Sequence, residues 1–276
     1  MDSRLSTRNS RPETVFKVAA CQLKVAPAKA DNLNRARDFI RRAAQTGARL
    51  VALPEMFACP YVARLFPEYA EEFPDGESFR MLSDAAREEG VYIVGGSVPE
   101  REGDKVFNSS LFFDPRGSLI AHHRKIHLFD VDLSGGLSFR ESDTLSPGTT
   151  VTVARTDLAT IGVAICFDIR FPALFRKMVR EGVQVIVIPA AFNMVTGPAH
   201  WELLLRARAV DNQVYMIGAA PARDPHADYV AFGHSMIVNP WAEIIALAGP
   251  EEGIITAEID LERLARIRRE LPLIQR

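Results

Sequence analysis

Apolar, β-branched runs of strand length recur along the chain. They are VFKVAACQL (15–23), RLVALP (49–54), VYIVGGSV (91–98), NSSLFFD (108–114), SLIAHHR (118–124), TIGVAIC (160–166), VQVIVIP (183–189), QVYMIGAA (213–220), HSMIVNP (234–240) and GIITAEI (253–259). Several are continuously apolar, which suits strands covered on both faces. Helical stretches lie between them. Over 31–47, Leu33, Ala36, Phe39, Ile40, Ala43 and Ala44 mark one apolar face and arginines the other, with Asp31 placed as an N-cap and Gly47 as a stop. Residues 76–89, 172–181, 198–211 and 260–270 read similarly. Strands alternating with helices predict an α/β fold, with antiparallel hairpins where connections shorten, at 108–124 and 229–257.

No repeat, low-complexity tract or Pro/Gly/Ser linker divides residues 15–276, which read as a single domain. Residues 1–14 are polar, lack the apolar core of a secretory signal and read as a flexible surface tail. The longest stretch without a clear element is 127–149, and compact domains seldom carry so long a loop unless it has a function.

Composition narrows the classes of function. The 276 residues are 47% hydrophobic and 25% charged, ordinary for a globular chain, and the formal net charge of −2 leaves no basic footprint for nucleic acid or an anionic membrane. No apolar run approaches the roughly 20 residues needed to cross a bilayer. Cys21, Cys59 and Cys166 form no CxxC pair. In the cytoplasmic setting expected here they are reduced, which argues against a disulfide framework or a thiolate zinc site.

Three polar residues close predicted buried strands: Glu55 after RLVALP, Lys125 after SLIAHHR, and Cys166 at the end of TIGVAIC. The carboxyl ends of strands are where α/β sheets build their sites. The segment after Cys166, FDIRFPALFRKM, reads as a turn into a helix, whose N–H groups favour a thiolate and can bind a developing oxyanion. Each residue also has a structural reading: a small core thiol, a rim carboxylate, a solvated basic run. Pattern alone therefore supports a possible thiol enzyme and no more. His234 and Ser235 in GHSMI lack the last glycine of a serine elbow, and His122, His123 and His127 have neither HExxH spacing nor a cysteine partner. Neither GxGxxG nor a Walker A pattern is present, so no nucleotide cofactor is indicated.

Several blocks in fixed order resemble the nitrilase, or carbon–nitrogen hydrolase, superfamily. LPEMF (53–57), HRKIHLFD (123–130) and GVAICFDIRFP (162–172) are similar to its three signature blocks, and further matches extend over nearly the whole chain. HLFDVD, AFN and AVDNQVY resemble the omega-amidase branch, while GPAHWE and RAR are shared with the deaminated-glutathione amidase branch. The resemblance implies a four-layer α-β-β-α sandwich that pairs into a homodimer or higher homo-oligomer. It also implies a Glu55–Lys125–Cys166 triad with a second glutamate, Glu141, presented by the 127–149 loop. Asp143 stands where omega-amidases tend to carry a basic residue, and the chain ends at LPLIQR where relatives often continue.

The activity implied is hydrolysis of a small amide, alpha-ketoglutaramate or succinamate, through a cysteine thioester and without metal or cofactor. Cys166 is the nucleophile and Glu55 the base, raised by burial. Lys125 and the Phe167 N–H bind the oxyanion, and Glu141 orients the amide nitrogen or Lys125. Arg170 is the nearest candidate for a substrate carboxylate, with a structural ion pair as its other reading. Tyr61 can supply a hydroxyl, and Phe167, Asn193 and Met194 are candidate pocket walls. Arg206, Arg208 and Asp211 read as a structural ion network. Besides the sister amidase, two alternatives stand: a nitrile hydrolase and a catalytically silent binding protein of the same fold.

Overall fold

The computed structural model describes residues 14–133 and 137–274; the tail expected over 1–14 therefore falls, apart from Thr14, outside the described residues. In chain order the first strands are β1 (Val15–Gln22), β2 (Leu50–Ala52), β3 (Tyr92–Val94), β4 (Val98–Glu102), β5 (Lys105–Phe113) and β6 (Leu119–Arg124). A hairpin of β7 (Asp130–Leu133) and β8 (Leu137–Arg140) follows. Next come β9 (Thr152–Arg155), β10 (Thr160–Val163), β11 (Val185–Pro189), β12 (Tyr215–Ala219), β13 (Met236–Val238), β14 (Ile244–Leu247) and β15 (Gly253–Asp260). The helices are α1 (Lys29–Gln45), α2 (Phe66–Tyr69), α3 (Glu77–Glu89), α4 (Pro172–Arg180), α5 (Gly197–Asn212) and α6 (Leu261–Glu270).

Two sheets form. The first runs β15-β1-β2-β3-β5-β4, with β6 also on β5, and the second runs β14-β13-β12-β11-β10-β9. Each has three parallel strands at its centre, β1, β2 and β3 or β10, β11 and β12, joined by crossovers that carry helices. Val18, Leu50 and Phe112 of one sheet meet Ile161, Val187 and Ile217 of the other in a shared core. The opposite face of the first sheet is covered by α1 and α3 through Phe39, Ile40 and Leu82, and that of the second by α4 and α5 through Phe175, Met178 and Trp201. This is the four-layer α-β-β-α sandwich. Strands buried on both faces explain the unbroken apolar sequences of β11 and β12, each buried along its whole length.

The structure revises several local expectations. α1 begins at Lys29 with Ala28 as its N-cap, so Asp31 lies in the first turn rather than at the cap. The 127–149 segment contains the β7–β8 hairpin, which a short alternating stretch, DVDL and LSFR, encodes too briefly to stand out. VYIVGGSV is two strands, broken at Gly96. There φ is +58°, and a Cβ would lie 2.1 Å from the Pro54 carbonyl oxygen. That contact matters for the site, because Ser97 laces the same turn down: its N–H donates to Pro54 O, its Oγ accepts from Met56 N–H and its carbonyl from Phe57 N–H. Glu55 sits in the middle of the laced segment.

Gly96→Ala is therefore expected to lower stability by roughly 2 kcal/mol or more, since both φ and space forbid a side chain. Urea denaturation read beside turnover checks this. Activity should fall further than the folded fraction does, because the Pro54–Phe57 segment must move.

Candidate active site

The loops following β2, β6, β8 and β10 converge at one end of the sandwich and deliver Glu55, Lys125, Glu141 and Cys166. All four are buried, Cys166 at 5% exposure being the most accessible. Lys125 Nζ donates to Glu55 Oε1 at 2.8 Å and lies 3.0 and 2.9 Å from the two oxygens of Glu141. Its backbone is fixed on both sides, N–H to Asn108 O and carbonyl from Gly148 N–H, each at 2.8 Å. Glu141, on a single 3-10 turn over Glu141–Asp143, also accepts from Phe129 N–H at 2.6 Å and Tyr61 OH at 2.7 Å. Glu55 Oε1 takes a further donor, Asn108 Nδ2 at 2.8 Å, but Glu55 Oε2 is buried with no hydrogen-bond partner among the described residues.

The two carboxylates are thus unequal. Glu141 is filled with donors, whereas Glu55 keeps one oxygen open with the Cys166 thiol within interacting reach. Burial pushes Glu55 above the usual carboxylate range; Lys125 opposes the rise and the negative charge of Glu141 adds to it. Lys125 loses hydration too, but Glu141 and Glu55 together hold it well above its ordinary value and so charged. Cys166 is also raised, by burial and by Glu55, against partial relief from Lys125 and the Ala191 main chain. Burial thus works against a thiolate at Cys166, whose thiol lies beside the open oxygen of Glu55.

Cys166 occupies the left-handed region at φ +46° and opens a 3-10 turn, Cys166–Arg170, that leads into α4. The leading N–H groups of such a turn have no acceptor within it, and Phe167 N–H is one of them. Asp168, which the sequence did not single out, locks this turn to the strand end that carries Lys125. Its Oδ2 accepts from Ile165 N–H at 3.0 Å and meets His123 Nε2 at 3.1 Å. Its Oδ1 accepts from His127 N–H at 2.9 Å and meets His127 Nδ1 at 2.7 Å. His123 and His127 flank Lys125 while Ile165 and Asp168 flank Cys166, so one carboxylate fixes the separation of amine and thiol. Burial works against its charge, yet the two histidines hold Asp168 well below the usual range.

The remaining candidates divide. A small recess over Cys166 is walled by Phe129, Phe167, Arg170, Phe192, Thr196 and Tyr229. Arg170 lies between the rings of Phe167 and Phe192, and both its terminal nitrogens meet His200 Nδ1 at 3.3 Å. Among the described residues it has no carboxylate partner, so the structural ion pair is not formed. Tyr61 bridges Glu141 and, at 3.4 Å, Glu55. Asn193 is turned into its own loop, where Oδ1 accepts from Val195 and Thr196 N–H, and Met194 is 41% exposed; neither lines the recess. Asp143 is exposed and lines it no more than they do. The supposed network on α5 is two separate pairs, Arg206 with Glu202 and Arg208 with Asp211. Ser235 is a buried structural hydroxyl bonded to Gln22 and Ala220, and His122 pairs with Glu100. Among the described residues no group of three or more His, Cys, Asp or Glu is arranged to hold a metal, and no helix is long and apolar enough to cross a membrane.

The family follows from the sequence as a whole. The carbon-nitrogen hydrolase family model matches residues 17–269, and the chain belongs to that family. Within it the chain falls in the omega-amidase branch of the nitrilase superfamily, as a hydrolase of carbon–nitrogen bonds other than peptide bonds. Omega-amidase NIT2 of Xenopus tropicalis is 54% identical over 258 residues, 94% of this chain and 93% of that protein. Omega-amidase NIT2 of Homo sapiens is 51% identical over 262 residues, 95% of each. The crystal structure of Saccharomyces cerevisiae Nit3, a member of branch 10 of the nitrilase superfamily, aligns at TM-score 0.88 and 43% identity, covering 95% of this chain and 96% of that one.

Replacing Asp168 by Asn keeps the shape but turns an acceptor into a donor toward His123 or Ile165. The expected outcome is kcat lowered about tenfold or more with KM nearly unchanged. The pH signature separates positioning from general damage. A depressed carboxyl stabilises the fold above its unfolded pKa of about 3.9, and that contribution is lost as pH falls below it. Asp168→Asn should therefore flatten the acid limb of stability.

Proposed function

We propose that the chain hydrolyses the amide of small dicarboxylate half-amides, alpha-ketoglutaramate and succinamate, with Cys166 as nucleophile and Glu55 as the proton-transfer group. The observation that carries the substrate class is Arg170: a half-buried guanidinium, free of any carboxylate partner among the described residues, in the recess that exposes Cys166. A carboxylate at the far end of the amide completes an ion pair that the fold leaves open.

Glu55 Oε2 takes the thiol proton as sulfur attacks the amide carbon, so thiolate never accumulates. The oxyanion forms between Lys125 Nζ and the Phe167 N–H; one such donor is worth roughly a hundredfold or more. As the C–N bond breaks, Glu55 returns its proton to nitrogen and ammonia departs, leaving a thioester on Cys166. Glu55 then draws a proton from water as oxygen attacks the thioester, and passes it to sulfur as the C–S bond breaks. Glu141 keeps Lys125 charged and in place. Tyr61 orients both carboxylates.

Ammonia release from alpha-ketoglutaramate, succinamate and deaminated glutathione tests the reading. The first two should be turned over, with Cys166→Ala and Glu55→Gln lowering kcat at least about a thousandfold. Arg170→Met should raise KM more than it lowers kcat. Because Glu55 must ionise from a raised pKa, kcat should climb with pH along a limb above the ordinary glutamate value of about 4.3. Preference for deaminated glutathione would move the substrate to the sister branch, and activity surviving in Cys166→Ala would sink the mechanism.

We further propose a homodimer in the cytoplasm, where the thiols stay reduced. Leu203 on α5 and Trp241 are largely exposed, and Arg206 of the same helix holds the adjoining turn through the Ala242 carbonyl, so an apolar patch faces outward. Leu203→Glu should lower the sedimentation coefficient from that of a dimer to that of a monomer.

A further inference from the structure

Arg170 ends the 3-10 turn that begins at Cys166, and its guanidinium carbon lies 5.5 and 5.2 Å from the ring centres of Phe167 and Phe192. Rings on two sides confine the group to a slot but give it no hydrogen-bond acceptor. Its Nε is buried without a hydrogen-bond partner among the described residues, and no carboxylate among them pairs with it. The one acceptor it meets there is His200 Nδ1, 3.3 Å from both of its terminal nitrogens.

His200 is itself held in place. It lies in the first turn of α5, with its N–H bonded to the Thr196 carbonyl at 2.9 Å. Beside it the buried Trp201 donates from Nε1 to His234 O at 2.7 Å and packs on Phe192 with ring centres 5.0 Å apart. Two turns further along, Arg208 Nε donates to Ile169 O at 2.9 Å. α5 therefore grips the Cys166–Arg170 turn at two adjacent residues, by the main chain at Ile169 and by the side chain at Arg170.

The polarity of the contact follows from its chemistry. A guanidinium carries only N–H groups, so Nδ1 presents its lone pair and the ring proton belongs on Nε2. An acidic side chain in place of the imidazole would form the ion pair within the fold and compete with a substrate carboxylate for the same charge. An apolar one would leave the guanidinium without an acceptor and free to turn on its stem. A neutral imidazole does neither: it orients the group and leaves its charge uncompensated. His200 borders neither the recess over Cys166 nor the larger one that adjoins it at Ala191 and Tyr229, so its influence passes through Arg170.

We propose that His200 is the positioning residue that aims Arg170 at the far carboxylate of the amide, and that it thereby sets the preference for carboxylate-bearing amides. The proposal rests on the reading of Arg170 as the partner of that carboxylate.

The test compares succinamate with levulinamide, the same chain with a methyl ketone in place of the carboxylate. KM is measured for each, or Ki against succinamate where levulinamide turns over slowly. His200→Leu should raise KM for succinamate about tenfold, with kcat and the value for levulinamide within about twofold of wild type. His200→Asn, which puts an oxygen acceptor close to where Nδ1 stands, should restore most of the loss. In an Arg170→Met background, His200→Leu should add nothing further. An equal rise for both amides overturns the proposal, as does a His200→Asn variant no better than His200→Leu. If Arg170→Met raises KM for succinamate and His200→Leu does not, the proposal falls while the carboxylate reading of Arg170 stands. If Arg170→Met itself leaves that KM unchanged, the reading falls and the proposal with it.

Discussion

Lys125 is sealed from solvent between Glu55 and Glu141, and stripping water from three charges is tolerable only where geometry is held tightly and the remaining lone pairs are met. The surroundings meet that demand almost completely. Tyr61, the Phe129 N–H and Lys125 itself saturate Glu141, and Asn108 with Lys125 saturates one oxygen of Glu55. What remains is one unsatisfied carboxylate oxygen beside a thiol. The cluster has two acids and one base, so its excess negative charge is carried where a proton is most easily taken up. Polarity that would be a fault in a core becomes a reservoir for one proton.

Rigidity of that order cannot come from the site alone. The parallel strands at the centre of each sheet end at the same edge, so loops from both sheets face one another across a small gap. Asp168 then ties the Cys166 turn in the second sheet to residues on either side of Lys125 in the first. The shared core between the sheets carries the load, and the carboxylate sets the fine spacing. Cys166 holds the left-handed region at φ +46° inside a turn closed by two bonds between Ile165 and Asp168, Ile165 N–H to the Asp168 carboxylate and Asp168 N–H to the Ile165 carbonyl.

Much of the architecture was legible because strands covered on both faces must be apolar throughout, as in VQVIVIP, and because α1 and α4 have a wet side. Glu55, Lys125 and Cys166 stand out as polar residues ending such runs. Glu141 carries no pattern of its own and is reached only through family resemblance. Asp168 and Asn108 were illegible for a physical reason: the side-chain partners that tie them to the site, His127 and His123 for Asp168 and Glu55 for Asn108, lie 41 to 53 residues away, and nothing local distinguishes a buried acceptor from a surface one. The break at Gly96 escaped as well, since GG inside an apolar run reads as a strand until the Pro54 carbonyl is seen against it. Arg170 was placed by proximity alone, and its contact with His200 rather than an acid is tertiary information.

β1 lies between β2, its parallel neighbour, and β15, with which it pairs from Val15↔Asp260 to Gln22↔Gly253. Leu261 N–H then closes on Thr14 O, so the opening and closing segments of the described chain lie side by side. During synthesis this gives the molecule a waiting period. One edge of the first strand stays bare until β15 has left the ribosome, and contacts of that sequence separation form late and slowly. Until then the first sheet carries an unpaired edge, the condition in which strands join the wrong neighbour. For the cell, the hazardous moment in making this enzyme comes before its final strand arrives.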